Sequence, residues 1–174
     1  KNYKDKFEGL TIQTVFEKDL LGSAGTLKEN NSSFKDGEDF FVVYGDNLTN
    51  INYKKLLDTH KENGGIATIA VYKEEYPESK GIISFDENNQ ILRFIEKPKP
   101  EQVISEYANA GIYVLNTKVF EYLNYLDKTP LDFGHDIFPY LLEKNEDMYV
   151  YKMDEILLDI GTLESYNKAQ GISI

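Results

Sequence analysis

Residues 40–46 read FFVVYGD: five apolar or aromatic side chains are followed by a glycine and an aspartate. A short apolar run that ends in this way predicts a strand buried on both faces of an α/β sheet. Residues 52–63 have helical spacing, and the pair Gly64-Gly65 marks the end of that helix. Residues 66–72 (IATIAVY) predict a second buried strand, so the order strand, helix, strand indicates a parallel βαβ crossover.

Further strands and helices are predicted on both sides of this unit. Residues 10–16 (LTIQTVF) alternate and are rich in β-branched side chains, which is typical of a strand. Residues 81–85 and 90–95 flank the turn sequence DENN, which predicts a hairpin. The remaining predicted elements are strands at 110–115, 148–153 and 156–158 and helices at 116–123, 132–144 and 162–169. Together they predict an α/β fold with a mixed, mostly parallel sheet, in one domain over residues 1–174.

Composition excludes several classes of protein. The chain of 174 residues has a net charge of −11, and such a surface repels nucleic acid and anionic membranes. It contains no cysteine, which excludes disulfides, thiolate metal sites and cysteine nucleophiles. The two histidines, His60 and His135, are interpreted as structural, with His60 as a favourable cation late in its helix. A cytoplasmic location is expected, and an anionic small molecule could bind only where a metal ion or a lysine reverses the local field.

Two aspartates that are far apart in the sequence each follow a predicted strand. Asp46 ends the FFVVYGD run, and Asp159 lies in the sequence LDIGT at 158–162. In open α/β sheets, ligands bind at the carboxyl ends of the strands, so two such acids could share one magnesium ion. Each also has a purely structural interpretation: Asp46 would cap the next segment, and Asp159 would stabilise the N-terminus of the helix that starts at Thr162.

Two further segments follow or enter predicted strands. Glu96 and Lys97 come directly after one strand and are stopped by a proline. They offer a hydroxyl acceptor beside a cation that can face phosphate, although adjacent Glu and Lys side chains are usually only a solvated charge pair. Asn109 precedes the small residues Ala110 and Gly111 at the start of another strand. Small residues there permit the close approach of a ligand, or equally the tight packing of a core strand.

The ordered set of motifs is more specific than any one of them. The segments are GSAGT (22–26), GDN (45–47), SKGII (79–83), FIEKP (94–98), NAGIYV (109–114), DFGHDIFP (132–139) and DIGT (159–162). In this order they resemble the sugar-phosphate nucleotidyltransferases, which include mannose-1-phosphate and heptose-1-phosphate guanylyltransferases and glucose-1-phosphate thymidylyltransferases. The resemblance covers nearly the whole chain and implies a Rossmann-like nucleotide-diphospho-sugar transferase fold. It also implies nucleotidyl transfer from a nucleoside triphosphate to a sugar 1-phosphate, and the NAGIY and DN spellings look closer to the guanylyl-type members.

The resemblance implies the catalytic residues. Asp46 and Asp159 match the acids that bind magnesium near the nucleotide phosphates. Lys97 matches the cation that holds the sugar phosphate, and Glu96 matches the acid that accepts sugar hydroxyls. The attacking group in such a reaction is a phosphate oxygen that is already anionic, so no general base is required.

The resemblance also implies residues that line the substrates. Gly81 matches a glycine whose backbone lies against the sugar, and Asn109 lies in the segment that flanks the sugar. Gly22, Ala24 and Gly25 belong to the segment that matches the neighbourhood of the base and ribose.

The sequence departs from the family pattern in one respect. Family members begin with a glycine-rich loop of the form Gly-x-Gly-Thr-Arg, followed later by Pro-Lys, which wraps the triphosphate. Residues 1–174 contain no such loop. We therefore expect them to be the C-terminal portion of the nucleotidyltransferase domain, without its N-terminal βαβ portion, and inactive by themselves. An incomplete sheet would expose an apolar edge that could drive formation of a homo-oligomer.

Two other functions stay open at this point. A non-catalytic regulatory module that binds nucleotide sugars would explain the missing loop, but it has less need of both metal-binding acids. A glycosyltransferase of similar architecture usually holds its metal with an Asp-x-Asp element. The sequence GDN at 45–47 lacks the second acid of that element.

Overall fold

The structure is a computed structural model that describes residues 11–172, and its centre is a six-stranded mixed sheet. The strands are β1 (Asp39–Val43), β2 (Asn47–Thr49), β3 (Ala67–Lys73), β4 (Gly81–Phe85), β5 (Ile91–Glu96), β6 (Tyr107–Asn116), β7 (Met148–Lys152) and β8 (Leu157–Asp159). The α-helices are α1 (Ser23–Glu29), α2 (Tyr53–Asn63), α3 (Val119–Tyr125), α4 (Phe138–Glu143) and α5 (Leu163–Ala169). A π-helical turn at Phe133–Ile137 leads into α4. The predicted α/β class with a mixed sheet is confirmed.

The long strand β6 organises the sheet. It pairs antiparallel with β1, β3 and β4, while β3 also pairs parallel with β7 and β4 pairs antiparallel with β5. Strands β1 and β3 therefore run in the same direction, as the predicted βαβ crossover requires, but β6 lies between them. The prediction of a mostly parallel sheet holds for the directions of the strands, since β1, β3, β4 and β7 all run in the same direction. It does not hold for neighbouring strands, because within residues 11–172 only β3 and β7 form a parallel pair.

A bulge in β6 marks the point where its neighbour changes from β4 to β1. Ile69 of β3 faces Tyr113, whereas Val71 faces Asn109, so β6 uses three residues where β3 uses one. Gly111 lies inside this bulge with a φ of 68°, a conformation that glycine adopts at little cost. The side chain of Asn109 closes the bulge by accepting a hydrogen bond from the Gly111 N–H at 2.9 Å. It also donates a 2.9 Å bond to the Tyr113 hydroxyl.

Helices cover both faces of the sheet. Alternate residues of β3 and β6 point to opposite sides, so Ile69 and Tyr113 pack with α1, α3 and α4, while Ala70 and Ile112 pack with α2. Helix α2 is fixed at both ends: Asn52 caps it by accepting a 3.0 Å bond from the Lys55 N–H, and Gly64 ends it with a φ of 72°. None of the helices within residues 11–172 is both long and apolar enough to span a membrane.

Two strand predictions were wrong. Strand β1 is not buried on both faces, because Phe41 and Val43 are 38% and 43% exposed. The reason is its position: among residues 11–172 it pairs with β6 alone, so it lies at an edge of the sheet. The predicted strand at residues 10–16 is also not seen, since residues 11–16 form no regular structure, and Leu10 lies outside the described residues. An alternating pattern gives a strand only where a neighbouring strand offers its hydrogen bonds.

His60 is structural, as predicted, but not as a cation at the end of a helix. Its side chain is 3% exposed, with Nδ1 2.9 Å from the Thr68 hydroxyl. Burial lowers its pKa, and the nearby Asp39 carboxylate opposes that effect only in part. His60 is therefore a neutral residue that joins α2 to β3.

Candidate active site

The two-stranded ribbon of β2 and β8 brings Asp46 and Asp159 together. In this antiparallel pair Asn47 faces Asp159, and the Ile160 N–H donates a 2.7 Å hydrogen bond to the Asp46 carbonyl. The sequence predicted a strand at 156–158 but none at 47–49. The ribbon therefore supplies the link between two acids that are more than a hundred residues apart.

Both carboxylates border the space beside Gly161. The position that a Cβ would take on Gly161 lies 3.1 Å from Asp159 Oδ1 and 3.3 Å from Asp46 Oδ2. The Gly161 N–H also donates a 2.9 Å bond to Asp159 Oδ1. Two carboxylates that face one small space suit a hard divalent cation, which prefers oxygen ligands. Residues 11–172 contain no cluster of three or more potential metal ligands, so the other positions on such a cation would be filled by phosphate oxygens and water.

A cleft of 350 Å³ joins these acids to most of the other predicted site residues. The predicted residues that line it are Asp46, Gly81, Glu96, Lys97, Asn109 and Asp159. Its remaining lining residues are Tyr44, Asn47, Ser79, Lys80, Ala110, Gly111, Asp132 and Gly134. Gly22, Ala24 and Gly25 do not line the cleft. The cleft therefore gathers residues from β4, β5, β6, the ribbon and the π-helical turn.

Glu96 lies between two glycines. A Cβ on Gly81 would collide with its Oε2 atom, and a Cβ on Gly134 would lie 2.6 Å from the same atom. Burial raises the pKa of Glu96, and Asp132 acts in the same direction, against the lowering effects of His135 and Lys97. No donor within residues 11–172 hydrogen-bonds to this carboxylate. It therefore faces the cleft as a free acceptor for a ligand hydroxyl.

Two lysines lie side by side at the open end of the β4–β5 hairpin. Gly81 pairs with Glu96, and the Lys97 N–H donates a 3.0 Å bond to the Lys80 carbonyl, so Lys80 and Lys97 are opposite each other. Lys97 has a φ of 46°, a costly conformation for a side chain with a Cβ that often accompanies a functional site. The Lys80 ammonium lies 3.0 Å from Asp159 Oδ2. The Gly161 N–H and this ammonium lower the pKa of Asp159, so it stays ionised near neutral pH.

Asn109 lines the cleft, but its side-chain amide stabilises the bulge in β6. Both ends of that amide hydrogen-bond within the β6 bulge, to Gly111 and to Tyr113. The Asn47 amide donates a 2.9 Å bond to the Ala110 carbonyl in the same bulge. The bulge is thereby tied to the turn that carries the first of the two metal-facing acids.

The segment of Gly22, Ala24 and Gly25 lies outside the cleft and packs on the backbone of Leu131. The N–H groups of Ala24 and Gly25 each donate a 3.0 Å bond to the Leu131 carbonyl. Gly22 has a φ of 85° and packs directly against the Leu131 backbone, which leaves no room for a Cβ. The neighbouring Ser23 links this segment to the cleft, because its hydroxyl donates a hydrogen bond to Asp132, which lines the cleft.

Sequence reasoning missed Asp132 and Lys80 as site residues. Asp132 accepts hydrogen bonds from the Ser23 hydroxyl at 2.7 Å and from the Gly134 N–H at 2.9 Å. It thus caps the π-helical turn that packs on Glu96. Both residues belong to segments that the motif series contains, since Asp132 opens DFGHDIFP and Lys80 precedes Gly81 in SKGII. Lys80 could have been predicted from the hairpin, because the pairing of residues 81–85 with residues 90–95 places it opposite Lys97.

The cleft as a whole is acidic. Its lining includes four carboxylates, those of Asp46, Glu96, Asp132 and Asp159, against two lysines, and the chain carries a net charge of −11. A phosphate-bearing ligand would therefore be repelled unless a cation bound first or together with it. The pair of carboxylates beside Gly161 is the place in the cleft where such a cation fits.

Comparisons with known proteins identify the family of the chain. The family described as "Nucleotidyl transferase" matches residues 1–172. The chain is 35% identical over 168 residues to a UTP–glucose-1-phosphate uridylyltransferase of Synechocystis sp., covering 94% of the chain and 42% of the relative. It is 31% identical to the mannose-1-phosphate guanylyltransferase catalytic subunit beta of Dictyostelium discoideum, covering 97% of the chain and 45% of the relative. The chain thus spans less than half the length of these relatives.

A solved structure shares the fold. It is assigned as a glucose-1-phosphate thymidylyltransferase from Bacillus anthracis, in complex with a sucrose, and it superposes with a TM-score of 0.75 at 23% identity. The overlap covers 90% of this chain and 65% of that one. Because the family match spans almost all of the sequence, the chain belongs to the nucleotidyl transferase family.

Proposed function

We propose that this chain serves nucleotidyl transfer from a nucleoside triphosphate to a sugar 1-phosphate, which yields a nucleotide sugar and pyrophosphate. One observation carries the proposal: carboxylates from two segments that are far apart in the sequence, Asp46 and Asp159, border Gly161, in the same cleft as Glu96 and Lys97. The family match and the names of the two relatives support the same reaction class.

The chemistry of this reaction fits the side chains of the cleft. The attacking oxygen of a sugar 1-phosphate is anionic near neutral pH, so the site needs no general base. The obstacle is the repulsion between two phosphates, and catalysis consists of positioning and charge neutralisation. Asp46 and Asp159 would hold a magnesium ion, which supplies the positive charge that offsets the phosphate oxygens around the reacting phosphorus.

The other residues bind and orient the sugar phosphate. Lys97 neutralises its phosphate, and the Glu96 carboxylate, which lacks a donor within the described residues, accepts hydrogen bonds from sugar hydroxyls. Because Gly81 and Gly134 have no side chains, the Glu96 carboxylate can lie directly against their backbone, which fixes its position in the cleft. Together they present one face of the sugar to the metal-binding acids.

The base and the sugar are a finer question. The relatives named above differ in both, since one name specifies UTP and glucose 1-phosphate and the other a guanylyl group and mannose 1-phosphate. The predicted likeness to guanylyl-type members stays a prediction. A panel of the common nucleoside triphosphates, each paired with glucose 1-phosphate and mannose 1-phosphate, decides it through the rate of pyrophosphate release.

The decisive test of the reaction is Asp159→Ala in the whole protein that carries this chain. We expect turnover to fall at least about 100-fold, because one of the two carboxylates beside Gly161 is lost. The matched control is Asp154→Ala, which removes the same charge from an exposed position outside the cleft. Circular dichroism verifies the fold of both variants. Near-normal turnover of Asp159→Ala would refute the proposed role.

A further inference from the structure

Lys80 lies next to one residue of opposite charge and one residue of like charge. Its ammonium lies 3.0 Å from Asp159 Oδ2, with 31% of the side chain exposed. Its backbone lies opposite Lys97, because the Lys97 N–H donates to the Lys80 carbonyl next to the Gly81–Glu96 pair. Both lysines line the cleft.

Lys80 and Lys97 lie one residue beyond the paired ends of β4 and β5, and like charges on such neighbouring residues repel each other. Here the repulsion is relieved on one side only, because Asp159 pairs with Lys80, whereas Lys97 has no salt bridge within residues 11–172. An anion that carries more than one negative charge could bind both lysines at once and neutralise the charge that Asp159 does not. Phosphate has that charge and several acceptor oxygens.

The same aspartate also faces the proposed metal position. Asp159 Oδ2 contacts Lys80, while Oδ1 borders the space beside Gly161 that Asp46 shares. An ammonium ion and a divalent cation that share one carboxylate each weaken the hold of the other. A bound metal ion would therefore loosen Lys80 from Asp159.

We propose that Lys80 is a second phosphate-binding residue, held on Asp159 until a divalent cation loosens it, and that it then binds a ligand phosphate together with Lys97. This inference rests on the proposed function for the identity of the site. It adds an order of events: the metal ion and the phosphate bind with positive coupling, because one releases the lysine that the other needs. Lys80 also keeps the metal-free cleft from holding a divalent cation tightly.

The first test measures binding of Mn²⁺ alone, without nucleotide, by titration calorimetry and by the electron paramagnetic resonance signal of free Mn²⁺. Lys80→Met should bind Mn²⁺ about twofold to fivefold more tightly than the native whole protein, which corresponds to the free energy of a partly exposed ion pair. Lys80→Arg keeps the charge on Asp159 and should bind as weakly as the native chain.

The matched control for the first test is Lys97→Met. It removes the same charge from the same cleft but breaks no contact with Asp159. An equal gain in both Met variants would show a general field effect and overturn the inference. An unchanged Mn²⁺ affinity in Lys80→Met, or no Mn²⁺ binding by either protein, would overturn it as well.

The second test measures the binding of inorganic phosphate with and without Mg²⁺. In the native chain Mg²⁺ should raise the affinity for phosphate, and Lys80→Met should lose most of that increase. An increase that survives intact in Lys80→Met overturns the inference. Neither test depends on turnover, so a whole protein that shows the coupling but makes no nucleotide sugar would refute the proposed function alone.

Discussion

At one end of the cleft, Asp46 and Asp159 lie on a two-stranded ribbon open to solvent, with the Asp159 side chain 56% exposed. At the other end, Glu96 is half-buried at the end of a strand of the six-stranded sheet, with a glycine on each side. Both ends carry carboxylates, but only the second is surrounded by packed backbone.

The difference in packing suits the two ligands proposed above, a divalent cation at Asp46 and Asp159 (the metal end) and a sugar at Glu96 (the sugar end). A hydrated divalent cation exchanges water and takes part of its coordination from a substrate, so an open pair of acids is sufficient for it. A sugar ring has a fixed shape, and a closely packed, rigid pocket excludes rings of other shapes because it has no spare volume. We therefore expect the sugar end to tolerate substitution less than the metal end.

Of the two glycine substitutions that compare the ends of the cleft, Gly81→Ala at the sugar end is expected to have the larger effect. The added methyl group would collide with Glu96 Oε2 and lie 2.8 Å from the Phe94 ring. Displacement of Glu96 should lower kcat/KM for the sugar phosphate about 100-fold, and overpacking should cost about 1–3 kcal/mol of unfolding free energy. Steady-state kinetics of the whole protein and chemical denaturation measure the two effects. The control is Gly171→Ala, where a Cβ meets no atom within 4 Å and no effect is expected.

A smaller effect is expected for Gly161→Ala at the metal end. The methyl group would lie 3.1 Å from Asp159 Oδ1 and 3.3 Å from Asp46 Oδ2, so both carboxylates must move by a few tenths of an ångström. Binding of Mn²⁺ should weaken about tenfold, as calorimetry can measure. The affinity for a sugar 1-phosphate in the absence of metal should not change. A loss of that affinity as large as the loss of Mn²⁺ affinity would show that the two ends are not separate.

The smallest effect is expected in the stability of Glu96→Gln. Burial raises the pKa of Glu96 above its ordinary value of 4.5, so the folded protein disfavours the ionised form. The cost is absent below pH 4.5 and appears as the pH rises through and above that value. Relative to the native protein, Glu96→Gln should therefore gain unfolding free energy between pH 4 and pH 7, and the gain should be small because the carboxylate is partly solvated. Urea denaturation at both pH values measures the gain, and a variant that loses stability over this interval would contradict it.

The sequence predicts the parts of this fold that depend on neighbouring residues along the chain. Helix α2, with its Asn52 cap and Gly64 end, and the β4–β5 hairpin are determined locally. The insertion of β6 between β1 and β3 is not, because the order of elements along the chain does not specify which strands become neighbours. The exposure of Phe41 could not be predicted for the same reason, since an apolar strand can have the same sequence at the edge of a sheet as at its centre.

The candidate site divides in the same way. Acids that end predicted strands, such as Asp46 and Asp159, are visible in the sequence because the carboxyl ends of strands are where α/β sheets bind ligands. Lys80 and Asp132 act through partners that only the folded chain supplies, namely Asp159 and Ser23. The use of Asn109 to close a bulge is likewise invisible without the register of β6.

The bulge at Gly111 sets a length. The first part of β6 carries the hairpin that ends in Glu96, and the second part carries β1, which leads to Asp46. The number of residues between these parts helps to set the distance between Glu96 and Asp46 in the cleft. One residue inserted there would shift one half of the strand by about 3.3 Å against the other. A shift of that size would change the spacing between the proposed sugar end and the proposed metal end of the cleft.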